Sequence, residues 1–430
     1  METGYGFTQS LGRVLDAVEN SSPLESLEAV TRGLRAGLGA TDVAMLMADL
    51  SGQGLVRLAS SDEQKSDGTG GADRGEEPDV VTFDGGPVEQ TMRAQRVRVL
   101  APGTLPGGGP TDDSWTVLAP VTERGEALGL LELSLPVEPT AEVLVEVTRT
   151  AHVLAFVIIA SRRHTDLFEW GQRSTTFTLP AEIQRRLLPA AFTCEAGLLT
   201  LSAWLEPADD VGGDTFDYSL GHDVLHLSVT DAMGHGVASA LTATLCVGSL
   251  RNTRRGGATL LQQADAANTA LFEHCTSIGD EGFVTGLLGR LDLATGALSL
   301  VNAGHVLPYL ARDGDVGRIE LTAGLPLGLF AGTTYEVDVV PLQPGDRVVL
   351  VTDGMLERKA AALDLVTQIR ATRDLHPRQT ARRLAADVLR AIGADLPDDA
   401  TLLVLDWHGP HREERAAVAG ADQQRAAGAR

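Results

Sequence analysis

Cysteine is scarce in this chain, with three in 430 residues. Cys194, Cys246 and Cys275 are odd in number and no two stand in a Cys-x-x-Cys spacing, so a disulfide framework and a zinc site both lack their raw material. They are expected as packing residues with free thiols in a reducing cytosol. Basic residues are also few: 35 Lys and Arg stand against 58 Asp and Glu, a net charge of −23. Phosphate backbones and anionic membranes select basic surfaces, so neither nucleic acid nor membrane is the expected partner. Long apolar runs are missing as well. The longest, Val153 to Ala160, falls far short of the roughly 20 residues a spanning helix needs. The opening METGYGFTQS lacks the basic region and apolar stretch of a signal peptide. A soluble cytoplasmic protein is expected.

What is present is length enough for two cores. From Pro23, PLESLEAVTRGLRAGLG sets Leu24, Leu27, Val30, Leu34 and Leu38 at helical spacing and closes on Gly39. VAMLMADL follows as a strand. Residues 61–78 are acidic and Gly-rich without periodicity and read as a surface loop. A helix in VEQTMRAQRV, a Gly/Pro loop over 101–109 and the pair WTVLAPVTERGEALGLLELSL come next, with ERGE as the hairpin turn. One long helix from Glu142 to His164 closes the set. The more polar stretch 163–190 ends in LPAEIQRRLLPA. Its stripe of Ile183, Leu187 and Leu188 suits a plain connector, or a helix packing on the C-terminal part or on a second copy of the chain as a homodimer.

Beyond Leu198 the pattern changes to many short strands rich in β-branched residues and leucine. Helical stretches interrupt them at 237–250, at 258–275, and over 360–392, where Pro377 breaks the last. This order predicts an α+β fold in which two sheets pack face to face with helices outside. The tail from Gly409 is Ala/Arg-rich and is expected to be disordered.

Four acids in this half sit beside small residues in turn-like strings: Asp214 in VGGDTFD, Asp231 in DAMGHG, Asp353 in TDG and Asp398 in PDDAT. Asp beside Gly is ordinary turn chemistry, so any one alone says little. Four delivered from separate strand ends suggest a site for a hard divalent cation, Mg²⁺ or Mn²⁺. Asp399 reads more simply as a turn or capping residue.

Two family resemblances rest on strings of this kind. APVTERGEALGLLEL, with the helix, strand, helix, hairpin, helix order around it, resembles a GAF domain over residues 20–162. No cysteine lies there, which leaves covalent bilin or iron–sulfur ligation unsupported, and His152 sits in an apolar helical run as a packed or paired residue. IQRRLLP, PADDVGGDTFDY, SVTDAMGHGVASAL, FVTGLLGRLDLATGALSLVNAGH, GLPLGLF, LQPGDRVVLVTDGMLE and DDATLLVL resemble, in order and spacing, the stage II sporulation protein E type of metal-dependent phosphatase, a relative of type 2C serine/threonine phosphatases.

The second resemblance implies an αββα sandwich over 191–407 with two metal ions between its sheets. The ions would activate water and neutralise the phosphoryl oxygens. It implies metal ligation by Asp214, Asp231, the backbone carbonyl of Ala232, Asp353 and Asp398, with Asp231 and Asp214 central to catalysis. It further implies a phosphorylated anti-sigma-factor antagonist of the STAS kind as substrate and a role in sigma-factor regulation. Asp210 and Asp217 are candidates to hold metal-bound waters, and Asn302, Gly304 and His305 to shape a turn beside the site. Asp210 and Thr215 depart from the usual Glu and aromatic residue. His235 is assigned a loop role.

Two other readings compete with this one. VGGDTFD superficially resembles the GGDEF hairpin of diguanylate cyclases, but no second acid follows directly and the downstream strings would go unexplained. A phosphatase fold turned binding or scaffold module remains the alternative from another class; all four carboxylates being present argues against it.

Overall fold

The computed structural model describes residues 14–49, 54–60, 79–104, 113–172, 178–207, 212–356, 364–392, 396, 398–410, 417–423 and 425–426. The loop expected over 61–78, most of the Gly/Pro loop, and Asp210 lie outside these residues. The chain divides into two compact units, residues 1–176 with 416–430, and residues 177–415.

In the first unit, the leucine and valine stripe of α1 (Ser26–Leu38) is buried at Leu27, Val30 and Leu34, and Gly39 ends the helix in the left-handed conformation at φ 65°. Strands β1 (Asp42–Ala48), β2 (Gly54–Ser60), β3 (Val80–Thr82), β4 (Arg98–Leu100), β5 (Trp115–Glu123) and β6 (Glu126–Leu135) form one antiparallel sheet in the order β3-β2-β1-β6-β5-β4. Helix α2 (Pro87–Ala94) lies between β3 and β4 in sequence. Arg124 and Gly125 turn the β5–β6 hairpin at φ 43° and 80°, the double left-handed geometry that matches strand twist. Alternation splits the sheet's side chains between two cores. Met45, Met47, Val117 and Leu131 pack with α1 and α3 (Ala141–Ser161), whereas Leu46, Leu118 and Leu130 pack with Met92 of α2. Helix α3 is long and apolar enough to cross a membrane by length and composition, yet Val147, Ala151, Leu154 and Ile158 are buried in the first of these cores.

The second unit begins with α4 (Leu179–Leu187), whose first turn is capped by the Thr178 hydroxyl accepting from the Ala181 amide. Strands β7 (Thr193–Glu195), β8 (Leu199–Glu206), β9 (Asp214–Leu220) and β10 (Val224–Ala232) precede two helices, α5 (Gly236–Arg255) and α6 (Leu260–Ile278). Then come β11 (Val284–Asp292), β12 (Ala297–Ala303), β13 (Tyr309–Arg312), β14 (Asp315–Arg318), β15 (Asp338–Pro341) and β16 (Arg347–Val351). The unit finishes with α7 (Leu365–Ala371), α8 (Pro377–Ile392) and β17 (Ala400–Trp407). Pro377 opens α8 rather than breaking a longer helix; its fixed φ and missing amide suit a first turn.

Two sheets result, β15-β12-β11-β10-β9 and β14-β13-β16-β17-β8-β7. Leu201, Phe216, Val229, Leu287, Leu350, Leu403 and Trp407 fill the space between them. The alternate residues face outward. Val349, Val351, Leu402 and Val404 meet Ile369, Leu384 and Val388 of α7 and α8, while Leu288, Val301 and Ala303 meet Cys246, Leu250 and Leu271 of α5 and α6. This is the helix–sheet–sheet–helix layering that the strand pattern predicts. Burial pushes the Cys246 thiol up to about 12, so it stays an uncharged packing group.

The tail departs from expectation. Residues Ala417–Val418 and Ala421–Asp422 pair as a small hairpin, β18 and β19, and Ala421 and Ala426 are buried. Alanine and glycine carry too little hydrophobic periodicity to announce a strand, but small side chains are what a close backbone approach requires.

Trp407 is among the largest fully buried side chains and closes the inter-sheet core at the end of β17. Trp407→Ala is expected to cost about 3–5 kcal/mol, read as a lowered urea midpoint for the second unit.

Candidate metal centre

The ends of four strands supply the acids. Asp214 opens β9 and Asp231 lies one residue from the end of β10, and the two are directly paired across the antiparallel ladder. Asp353 starts the 3-10 turn Asp353–Leu356 after β16, and Asp398 and Asp399 precede β17. β9 and β10 belong to one sheet and β16 and β17 to the other, so the acids come from both layers of the sandwich. Among the described residues, no group of three or more His, Cys, Asp or Glu side chains is placed closely enough to hold a metal ion.

The electrostatics of the set are nonetheless cooperative. Asp231 is pushed up to about 7, first by burial and then by the charges of Asp353, Asp398 and Asp399. Asp214 is raised well above the usual carboxylate range by burial, then by Asp231 and Asp399. Hydroxyl donation from Thr401 and Thr352, at 2.6 and 2.7 Å to its Oδ2, pulls the other way without prevailing. Like charges placed opposite one another in a ladder destabilise it. Inside a protein that cost is kept low by protonation or by a bound cation.

Several groups hold this arrangement. Asp399 is 1% exposed, and its Oδ2 accepts from Gln184 Nε2 at 2.6 Å and from the amides of Gly213 and Asp214 at 3.2 and 3.3 Å. It therefore secures the distant Gly213–Asp214 turn at the centre of the acid cluster, which is more than the plain turn or capping role expected from sequence. Gln184 of α4 also donates to the Asp214 carbonyl at 2.8 Å. Gln184, Thr352 and Thr401 were not singled out from sequence. Each lies inside a motif string, in IQRRLLP, TDG and DDAT, where the neighbouring acid or leucine draws the eye. Gly354 is required by contact: a Cβ there would fall 2.0 Å from the Asp399 carbonyl oxygen.

The Ala232 carbonyl accepts the Ser239 hydroxyl at 3.2 Å and faces Gly213, where a Cβ would lie 2.5 Å away. A carbonyl has a second lone pair, so this bond leaves ligation open to it. The NAGH string forms a buried latch. Asn302 Oδ1 accepts the His305 amide at 2.8 Å, and the His305 ring bridges the Thr285 hydroxyl, at 2.8 Å, and the Val351 carbonyl, at 3.1 Å, two residues before Asp353. Burial lowers His305 to about 4, keeping the ring neutral. Gly304 turns the chain at φ 72°. His235, exposed at the start of α5, stands in the loop as expected.

Asp217 does not join the site. Strand alternation sends it to the opposite face from Asp214, where it is 4% exposed and held by Arg251 and Arg254 of α5, each at 2.9 Å. Thr215 shares that alternation, and its hydroxyl meets that of Thr230 at 2.5 Å. His152, in the first unit, is paired through Nδ1 with the Thr122 carbonyl at 3.0 Å.

Residues 221–408 match the family described as Stage II sporulation protein E. Protein IcfG of Synechocystis is 23% identical over 234 residues, 49% of this chain and 37% of that protein. Phosphoserine phosphatase RsbU of Bacillus subtilis is 22% identical over 233 residues, 53% of this chain and 68% of that one. The chain thus spans well under half the length of the first of these relatives. A PP2C domain from SiaA of Pseudomonas aeruginosa aligns over 53% of this chain and 94% of its own length, at 21% identity and a TM-score of 0.45. The C-terminal half is thus similar in sequence to the Stage II sporulation protein E family and to a phosphoserine phosphatase.

Because protons and cations compete for the same oxygens, Mn²⁺ affinity is expected to rise with pH through about 7, the value to which Asp231 is pushed. The sign for stability is opposite. A carboxyl raised above its unfolded value stabilises the metal-free fold at low pH and loses that contribution as pH rises toward about 7. Calorimetric Mn²⁺ titrations from about pH 6 to about pH 8 read the proton release directly; an affinity flat across that range would remove Asp231 from the ligand set.

Proposed function

We propose that the protein is a protein serine/threonine phosphatase dependent on Mg²⁺ or Mn²⁺, with its two ions held by Asp214, Asp231, the Ala232 carbonyl, Asp353 and Asp398. The observation that carries this reading is the direct opposition of Asp214 and Asp231 across one ladder, joined by acids from the facing sheet. A buried set of mutually raising carboxylates is poorly suited to an apolar ligand or to an anion, and is well suited to divalent cations. When bound, such ions supply an activated water and neutralise phosphoryl charge. The chain's own part is to present the carboxylates. Thr352 and Thr401 orient Asp214, Gln184 and Asp399 fix the turn that carries it, and the His305 latch holds the end of β16 ahead of Asp353.

Substrate and control complete the proposal. The match to a phosphoserine phosphatase, and the sequence resemblance, support a phosphorylated anti-sigma-factor antagonist of the STAS kind as substrate, in sigma-factor regulation in the cytoplasm. A helix-flanked antiparallel sheet with a tight central hairpin supports the reading of residues 20–162 as a GAF domain governing the phosphatase. Gln184 gives that control a route. It sits on α4, within the connecting stretch 163–190, and touches both Asp214 and Asp399.

Asp231→Asn keeps the side chain's shape and removes its charge. Phosphate release from a phosphoserine-bearing antagonist protein, measured with the full chain at varied Mn²⁺, is expected to fall below a tenth of the wild-type rate while the far-ultraviolet dichroism is unchanged. A variant that keeps a tenth or more of turnover would end the assignment of Asp231. Gln184→Leu is expected to leave the fold intact and to lower activity at limiting Mn²⁺ more than at saturation, as a group acting through Asp214 and Asp399 should.

A further inference from the structure

The chain returns to the N-terminal unit after finishing the catalytic one: residues 177–415 form the second unit, and 416–430 belong with 1–176. The returning segment is seated by specific contacts. Its own hairpin turns on Ala419 and Gly420 at φ 53° and 90°, a second double left-handed turn that faces the Arg124–Gly125 turn of the β5–β6 hairpin. The two tips are joined by the Gly125 amide donating to the Gly420 carbonyl at 2.9 Å. Arg96 Nη2 donates to the Gln423 carbonyl at 3.0 Å. Gln423 Nε2 reaches the Gln95 carbonyl at 3.5 Å.

The fit at Gly420 leaves no room for a side chain. A Cβ would lie 2.0 Å from the Thr122 carbonyl oxygen and 2.8 Å from His152 Nδ1. Ala421 is 1% exposed and Ala426 is 4% exposed. The receiving surface is itself built in advance. Gln95 is buried in a left-handed conformation at φ 52°, and its side-chain oxygen accepts the Thr122 hydroxyl beneath the seat. His152 belongs to α3, the helix through which the chain sets out toward the catalytic unit.

We infer that residues 417–426 are a built-in peptide ligand of the N-terminal unit, a clasp that seats the far end of the catalytic unit's chain on Gln95, Arg96, Thr122, Gly125 and His152. The segment that follows the second unit thus returns to the unit that precedes it, against Thr122 and against His152 of α3. The inference does not rest on the phosphatase reading.

Hydrogen–deuterium exchange by mass spectrometry on the full chain tests it, comparing wild type, Gly420→Val and Arg96→Ala. In wild type, amides of 420–426 and the β5–β6 turn are expected to exchange at least tenfold more slowly than in Gly420→Val, with Arg96→Ala between the two and strands β9 and β10 unchanged throughout. A chain ended after Gly409 guards against misfolding of the valine variant: its β5–β6 turn should lose the same protection. Wild-type exchange over 420–426 as fast as in Gly420→Val, or a β5–β6 turn indifferent to removal of the segment, would overturn the clasp.

Discussion

Repulsion between buried carboxylates is the constraint around which the second unit is organised. Asp214 and Asp231 face each other across a ladder that twist and register leave no freedom to adjust, and Asp353, Asp398 and Asp399 add to the same field. A fold tolerates such a set only if the surroundings hold it rigidly and something positive can answer it. The rigid part is visible. Two threonines bind one oxygen of Asp214, a buried glutamine ties α4 to the cluster, and Asp399 secures the glycine turn by its backbone amides. Each support comes from a different strand or helix. The sandwich therefore has to be assembled before the acids take up their positions.

The same logic explains where the small residues fall. Gly213 and Gly354 are not needed for φ. Their missing Cβ atoms let the Ala232 and Asp399 carbonyls pass within about 2–2.5 Å of where a methyl would stand. Each close approach joins neighbouring strand ends of one sheet, β9 to β10 and β16 to β17, and so sets the acids that those ends carry. A larger residue at either position would push the paired strand ends apart and displace those acids.

Much of this was legible in the sequence, and what was missed has physical causes. The strand periodicity in VLHLSV and RVVLV gives the two-sheet core directly, because alternation assigns each residue to a face. The Asp positions were legible because Gly and Asp together are rare at so many strand ends. Asp217 stands three residues from Asp214, which on a strand is the opposite face, so nearness along the chain points it to the wrong site. Gln184 and Asp399 escaped notice as site-shaping groups because their roles rest on contacts at sequence separations of 215 and 186 residues, which no local pattern encodes. Composition marks the tail for disorder because it records hydrophobic driving force and not the steric fit that alanine and glycine provide over the hairpin Ala417–Asp422.

That steric fit has a consequence for how the molecule comes into being. The hydrogen bond from Arg96 to Gln423 spans 327 residues of chain. During synthesis the N-terminal sheet can form early, but its seat for residues 417–426 stays empty until the whole intervening unit has left the ribosome. Long-range contacts of this kind form last, after local and intra-domain ones. The seated segment is thus a mark of a chain translated through residue 426, and a product terminated before residue 417 would carry an N-terminal sheet that lacks it.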